Sequence, residues 1–478
     1  MCGFAAVVAD QPVAPSLLLA MQAIQHRGQD QAGLGTFDGR RVHLVKGDGM
    51  IDQAVPAAQR ASLVGHAGVG HVRYPTAGSV VTSEDAQPFR TRHPGVLLAH
   101  NGNVTNTGEL TQWLADEGWV VQSGCDAEPI LLVFARALMA RRPSGHTQAD
   151  VAEAVRDVFR RVRGAYSVTA VLEVDGQPTL VAFRDPHGIR PGCYGRRADG
   201  AWMAASESVA LDVLDFEREG ELPAGGLLLL RHGAEPILED LVEPDPRPCV
   251  FERIYFARPD SVMDGDRVNR TRWLMGRQLA REWAARSLHA DWVIPIPDSS
   301  RPAAMAMSEE LGIRYREGFI KNRYSGRTFI MPDQTTRDEA LRLKLNPIRE
   351  MFEGQQVLLV DDSIVRGSTM RHIIQHLRRL KPAALHLAIF SPPVAHPCFY
   401  GIDMPTRDEL LASRYAPGEL DGALAAHFDA DTVTYLSVDG MRTAAGHTPC
   451  DACFTGQYCV PVSAHERGDL EAARRARG

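Results

Sequence analysis

The sequence of 478 residues contains no apolar run of 18 residues, so no segment is long enough to cross a membrane as a helix. Nor does its N-terminus carry a basic stretch followed by an apolar one, so no secretory signal is expected and the chain reads as cytoplasmic. Cysteine is scarce. Eight residues in so long a chain do not form a disulfide framework, and in a reducing compartment they point to catalysis or metal binding. Positive charge is not in excess either: the net charge of −7 leaves no electrostatic footprint for nucleic acid. What is present is ordinary globular material, and at this length one core does not suffice. Two domains are expected, residues 2–240 and 249–460, joined by the proline-rich EPDPRP at 243–248 and followed by a charged tail, 461–478.

The second half is organised around GQQVLLVDDSIVRGSTMRHII, residues 354–374. Val357 to Val360 is a short β-branched and apolar run, as in a parallel strand buried on both faces. Asp361 and Asp362 follow it, then a small, hydroxyl-rich turn, Ser363 to Thr369, then a helix starting near Met370. Ligands of open α/β sheets lie beyond the carboxyl ends of the strands, and a helix N-terminus offers unpaired N–H groups to a phosphate. Two acids would repel a bare phosphate. They suit a sugar phosphate, whose hydroxyls or Mg²⁺ they can hold. A lone acidic pair is ordinarily no more than a solvated rim, but this stretch resembles, almost letter for letter, the phosphoribosyl pyrophosphate (PRPP) signature of type I phosphoribosyltransferases.

WVIPIPDSSRPAA, residues 292–304, repeats the pattern: a buried strand, a polar turn at Asp298, Ser299 and Ser300, and a helix with Pro302 at its start. The resemblance implies that this turn holds the pyrophosphate, with Val365, Arg366, Gly367, Ser368 and Thr369 on the other side of the PRPP. Ser299, Asp361 and Asp362 would form a Mg²⁺ site. The basic segment 318–350 reads as a lid, with Lys321, Tyr324 and Arg327 closing over the substrate.

The first half begins Met1-Cys2-Gly3-Phe4. Removal of Met1 would leave a terminal cysteine whose own α-amine could serve as base for its thiol. A cysteine at position 2 usually means nothing, but the blocks that follow alter that. They are HRGQDQAG (26–33), GHVRYPTAG (70–78), EDAQPF (84–89), AHNGNVTN (99–106) and CDAEPILL (125–132). Their order and spacing resemble the class II glutamine amidotransferase domain, an N-terminal nucleophile hydrolase with an αββα sandwich. The resemblance implies Cys2 as nucleophile and Asn101 with the N–H of Gly102 as oxyanion donors. Arg73 would hold the glutamine carboxylate, Asp126 its ammonium, and Arg27 and Gly28 would line the pocket. Asp85, Cys125 and Ala127 depart from the usual pattern, and Cys125 and Cys193 read as unliganded thiols.

CDAC supplies Cys450 and Cys453; alone, such a pair is redox-active or zinc-binding. Over nearly the whole chain the sequence is similar to the amidophosphoribosyltransferases, and the segments around Cys249, Cys398 and Cys450 resemble the iron–sulfur branch of that family. That likeness implies a [4Fe–4S] cluster on Cys249, Cys398, Cys450 and Cys453, with zinc as the alternative metal. It also implies a homo-oligomer, a tetramer, inhibited by purine nucleotides, that makes 5-phosphoribosylamine from PRPP and glutamine as the first step of purine biosynthesis. Relatives with the cluster often carry a propeptide; here methionine removal is expected to suffice. Two other readings stand beside this one: a paralogue running the same reaction in a specialised nucleoside pathway, and a non-catalytic PRPP-binding regulator.

Overall fold

The computed structural model describes residues 2–74, 83–322 and 345–475. Its first half is two stacked antiparallel sheets. The seven-stranded sheet has Cys2–Val8 at its centre, between Trp202–Ala205 and Ala67–Arg73. The six-stranded sheet carries Val96–Val104 paired with Gly164–Val174. Side chains alternate across each strand, and both faces of these strands are apolar. Phe4, Ala6 and Val8 therefore pack between the sheets with Leu97, Ala99 and Val171, while Ala5 and Val7 face the helix Ala14–Ala23 through Leu17 and Met21. On the outer face of the second sheet, Leu98, Val168 and Ala170 pack under helices Ala127–Arg141 and Gln148–Arg161. The layers are α, β, β, α.

The second half is a five-stranded parallel sheet flanked by helices. In Gln356–Asp361, Leu358 and Val360 enter one core and Val357 and Leu359 the other, as a strand buried on both faces requires. In space the strands run Arg314–Tyr315, Trp292–Pro295, Gln356–Asp361, Ala384–Ile389, Thr432–Tyr435. The order reverses between Trp292–Pro295 and Gln356–Asp361, so the loops leaving these two strands diverge and open a crevice.

Some boundaries differ from expectation for identifiable reasons. The helix after Asp362 starts at Ser368, one turn's edge earlier than Met370, because Gly367 adopts φ 77° and starts it. The proline-rich linker is no loose tether: Asp245, Arg247 and Cys249 donate backbone N–H groups to the carbonyls of Pro186, His187 and Ile189. The charged tail forms the helix Ala464–Arg475, in which Glu466 reaches Arg163 at 2.9 Å and Arg474 donates to the carbonyl of Cys398.

Candidate functional sites

Strand pairing assembles the first site. Cys2 lies opposite Arg73, and Arg73 opposite Gln31, so three neighbouring strands bring the nucleophile, the arginine and a supporting amide into one row. Cys2 Sγ points to the carbonyl of Tyr74 at 3.8 Å. Arg73 Nη1 donates to Gln31 Oε1 at 2.5 Å. Burial works against the charge of Arg73, but Cys125, Cys2, Asp85 and Asp126 around it more than compensate and raise its pKa. Gly28 abuts this row: a Cβ there would lie 2.3 Å from the Arg73 nitrogen.

Asp126 starts the helix Ala127–Arg141 and accepts from the Val104 N–H at 2.9 Å, with His100 Nε2 at 3.3 Å from the same oxygen. Burial opposes its ionisation, yet His100 and these hydrogen bonds hold its pKa below the ordinary value. Asp126 is therefore a buried carboxylate ready for a cation. Asn101 is fully buried, and among the described residues neither its Oδ1 nor its Nδ2 has a partner. A buried amide left unsatisfied costs about 1–3 kcal/mol, so such groups mark places where a ligand completes the bonding. Next to it, Gly102 tolerates no side chain, since a Cβ would sit 2.0 Å from the Ala165 carbonyl.

Arg27 lies directly behind the nucleophile: its Nε donates to the Cys2 carbonyl at 2.9 Å, Nη1 to Glu207 and Nη2 to Glu252, each at 2.5 Å. All three guanidinium nitrogens are engaged, and through them Arg27 holds the nucleophile's strand. Glu207 also binds His26 at 2.7 Å and Ser261 Oγ at 2.6 Å; burial would raise its pKa, but His26 and Arg27 hold it well down. Of the three residues that depart from the family pattern, Ala127 is buried in the first turn of its helix and Asp85 accepts from the Gly124 N–H at 2.7 Å. Burial pushes the Cys125 thiol up to about 12, so it stays neutral. Cys193 is likewise buried, against the Ala205 carbonyl.

The second site sits at the crevice in the parallel sheet. Asp362 Oδ2 accepts from Ser299 Oγ, and Oδ1 accepts from Ser363 Oγ at 2.6 Å. Asp361 Oδ1 takes only the Asp362 N–H, at 2.9 Å, among the bonds the described residues make. Ser299 thus meets Asp362, the neighbour of Asp361, across the two diverging loops. Burial, then the proximity of Asp362, pushes Asp361 well above the ordinary carboxyl range; burial pushes Asp362 up too, against Ser299, Ser363 and Arg272. Arg272, which sequence reading missed, is buried behind this pair, and burial brings its pKa down to about 10. Gly367 has no room for a Cβ, which would lie 2.5 Å from Leu411 Cδ2. Ser368 and Thr369 stand exposed at a helix start that no side chain caps.

Other expected residues are otherwise engaged. Arg366 pairs with Glu409 at 3.0 Å, the Val365 carbonyl accepts from Leu411, and Lys321 pairs with Asp298. Ser300 does not cap its helix; its hydroxyl turns back to the Ile296 carbonyl. Asp298 and Lys321 border an open cavity of about 730 Å³. Tyr324 and Arg327 lie outside the described residues.

Cys249, Cys398, Cys450 and Cys453 all belong to one core cluster, and Cys249 pairs with Cys450 in a β-bridge. Cys249 is an electrostatic neighbour of Cys398, and Cys453 of both. A fifth cysteine, Cys459, adjoins this group and hydrogen-bonds Cys450. Burial pushes Cys249 up to about 12 and Cys453 well above the thiol range. Thiols that cannot ionise alone are a set that a metal would have to ionise.

Comparison with known proteins agrees with both domains. A glutamine amidotransferase domain family matches residues 72–213, and a phosphoribosyl transferase domain family matches residues 273–395. The amidophosphoribosyltransferase of Haemophilus influenzae is 43% identical over 96% of this chain and 92% of its own length; that of Pseudomonas aeruginosa is 40% identical over 96% and 93%. Among solved structures, the glutamine PRPP amidotransferase from B. subtilis complexed with ADP and GMP superposes with a TM-score of 0.84 at 35% identity, covering 97% of this chain and 98% of that one. A structure described as the allosteric regulatory enzyme of purine biosynthesis gives 0.86 at 34%, covering 99% of each. With a glutamine-type nucleophile strand and a PRPP-type crevice in one chain, and relatives of matching length throughout, the chain belongs to the amidophosphoribosyltransferase family.

Proposed function

We propose that this protein is a glutamine-dependent amidophosphoribosyltransferase, converting PRPP, glutamine and water to 5-phosphoribosylamine, glutamate and pyrophosphate, the first committed step of purine biosynthesis. The observation that carries this reading is the Asp361–Asp362 pair, joined to Ser299 at the crevice of the parallel sheet in the same chain as the Cys2 strand. Residues 2–240 run the first half-reaction and 249–460 the second.

In the first, the Cys2 thiol adds to the amide carbon of glutamine while its α-amine, freed by loss of Met1, takes the proton. Charge develops on the amide oxygen, and Asn101 Nδ2 with the Gly102 N–H stabilises it. Arg73 and Asp126 hold the carboxylate and ammonium of glutamine. Collapse expels ammonia and leaves a thioester, which water cleaves to glutamate. In the second, ammonia attacks C1 of PRPP and the C1–O bond to pyrophosphate breaks with inversion. Asp361 and Asp362 orient the ribose hydroxyls. Ser363 to Thr369 receive the 5-phosphate at the helix start, and the Asp298–Ser300 turn with Lys321 faces the pyrophosphate. Mg²⁺, held by Ser299, Asp361 and Asp362 with substrate oxygens, would supply charge neutralisation for the leaving group.

The four cysteines are read as ligands of a [4Fe–4S] cluster that staples the C-terminal segment, with zinc as the alternative metal. The likeness to the B. subtilis enzyme complexed with ADP and GMP supports inhibition by purine nucleotides. A cytoplasmic homotetramer is part of the same reading. The test is pyrophosphate release that needs both glutamine and PRPP; a PRPP-binding regulator releases none.

A further inference from the structure

The glutaminase reading sets a geometric demand that neither sheet can meet alone. Cys2 lies in the seven-stranded sheet and Asn101 in the six-stranded one, so no shared hydrogen-bond ladder fixes the gap between nucleophile and oxyanion donor. Each is instead tied to the other half of the chain. Arg27 holds the Cys2 carbonyl at 2.9 Å and is gripped in turn by Glu252, 225 residues away. The same carboxylate oxygen of Glu252 takes Arg190, so it is fixed by two buried arginines. On the oxyanion side, Asn103 Nδ2 donates to the carbonyl of Phe399 at 3.0 Å. Two residues on, Gly401, at φ 101°, packs backbone to backbone on Gly102: a Cβ would lie 2.9 Å from its carbonyl carbon. Both anchor segments end in one core, where Phe251 packs with Phe399 and Tyr400.

We infer that Glu252 and Asn103 are positioning residues for the glutaminase half-reaction, setting the Cys2-to-Asn101 separation from a single frame in the phosphoribosyltransferase half. This rests on the function proposed above and adds to it two residues that touch no substrate. Losing either brace would let one sheet shift against the other by a fraction of an ångström. Substrate binding, carried by Arg73 and Asp126 on the glutaminase side, would persist, but the transition-state contacts would loosen.

The test uses full-length Glu252→Gln and Asn103→Ala proteins and their double variant. Each is assayed for glutamine hydrolysis in the presence of PRPP and for pyrophosphate release with ammonium as the nitrogen source. Each single variant is expected to lose roughly tenfold in glutaminase kcat, with KM for glutamine within about threefold of wild type and ammonium-dependent release within about twofold. The double variant loses more than either single. Unchanged glutaminase kcat would overturn the inference, and so would a parallel fall in both activities, which would show general damage to the fold. Wild-type protein silent in both assays overturns the underlying functional reading, and this one with it.

Discussion

Cys2, Arg73, Asn101 and Asp126 are each at most 4% exposed and stand on strands or at the first turn of a buried helix. In the other half, Asp298 and Arg366 on turns and Ser368 and Thr369 at a helix start are exposed, while Ser300 and Asp362 are buried. The first site has its electrostatics arranged beforehand: His100 and hydrogen bonds hold Asp126 below its ordinary pKa, and Asp85 and Asp126 lie beside Arg73. The second is held in an unfavourable state, two carboxyls pushed up by burial and Asp361 also by Asp362, with its cations turned to Glu409 and Asp298. A site that must stabilise charge on a small, uniform substrate is finished at folding. A site for a highly charged substrate is left for the substrate and its metal to complete.

That contrast can be broken at four places. Cys2→Ala should lower glutamine-dependent turnover by on the order of 10³-fold or more while sparing ammonium-dependent pyrophosphate release, measured side by side. Asn101→Ala should lower glutaminase kcat by roughly 10²–10³-fold. Because its amide makes no bond among the described residues, thermal melting should show no loss of stability.

Asp361→Asn should lower PRPP-dependent turnover by about 10²-fold, yet raise the melting temperature. Both carboxyls have folded pKa values above their unfolded ones, so the folded state binds protons more tightly and stability falls as pH rises through that window. The gain in melting temperature should therefore grow as pH rises and vanish below the ordinary aspartate range. A melting temperature that falls at every pH would refute the mutual repulsion. Arg366→Ala, whose guanidinium is exposed and paired with Glu409, should change KM for PRPP by only about threefold, because the substrate must first win the side chain from that partner.

Much of this was legible in the residues. The run Val357 to Val360 could be read as a two-faced buried strand from its lack of alternation, and the acids after it fell where such a strand ends. The Cys2, Arg73 and Asn101 blocks could be read from their order, and antiparallel pairing does place Cys2 opposite Arg73. What could not be read depends on partners distant in sequence. Arg27 lies in a block that belongs to the pocket, but Glu207 and Glu252 decide its direction, and nothing local announces either. Ser300 has the residue type of a helix cap, yet the tight turn aims its hydroxyl backward. The tail's charge pattern suited solvent equally well; Arg474 and Glu466 meet partners that only the folded chain supplies.

The most direct test is to give the wild-type protein glutamine and PRPP with no added ammonium, and to quantify glutamate and pyrophosphate together. Equal amounts of the two, with neither formed by Cys2→Ala, are predicted. Pyrophosphate released by Cys2→Ala with glutamine as the sole nitrogen source would contradict the account.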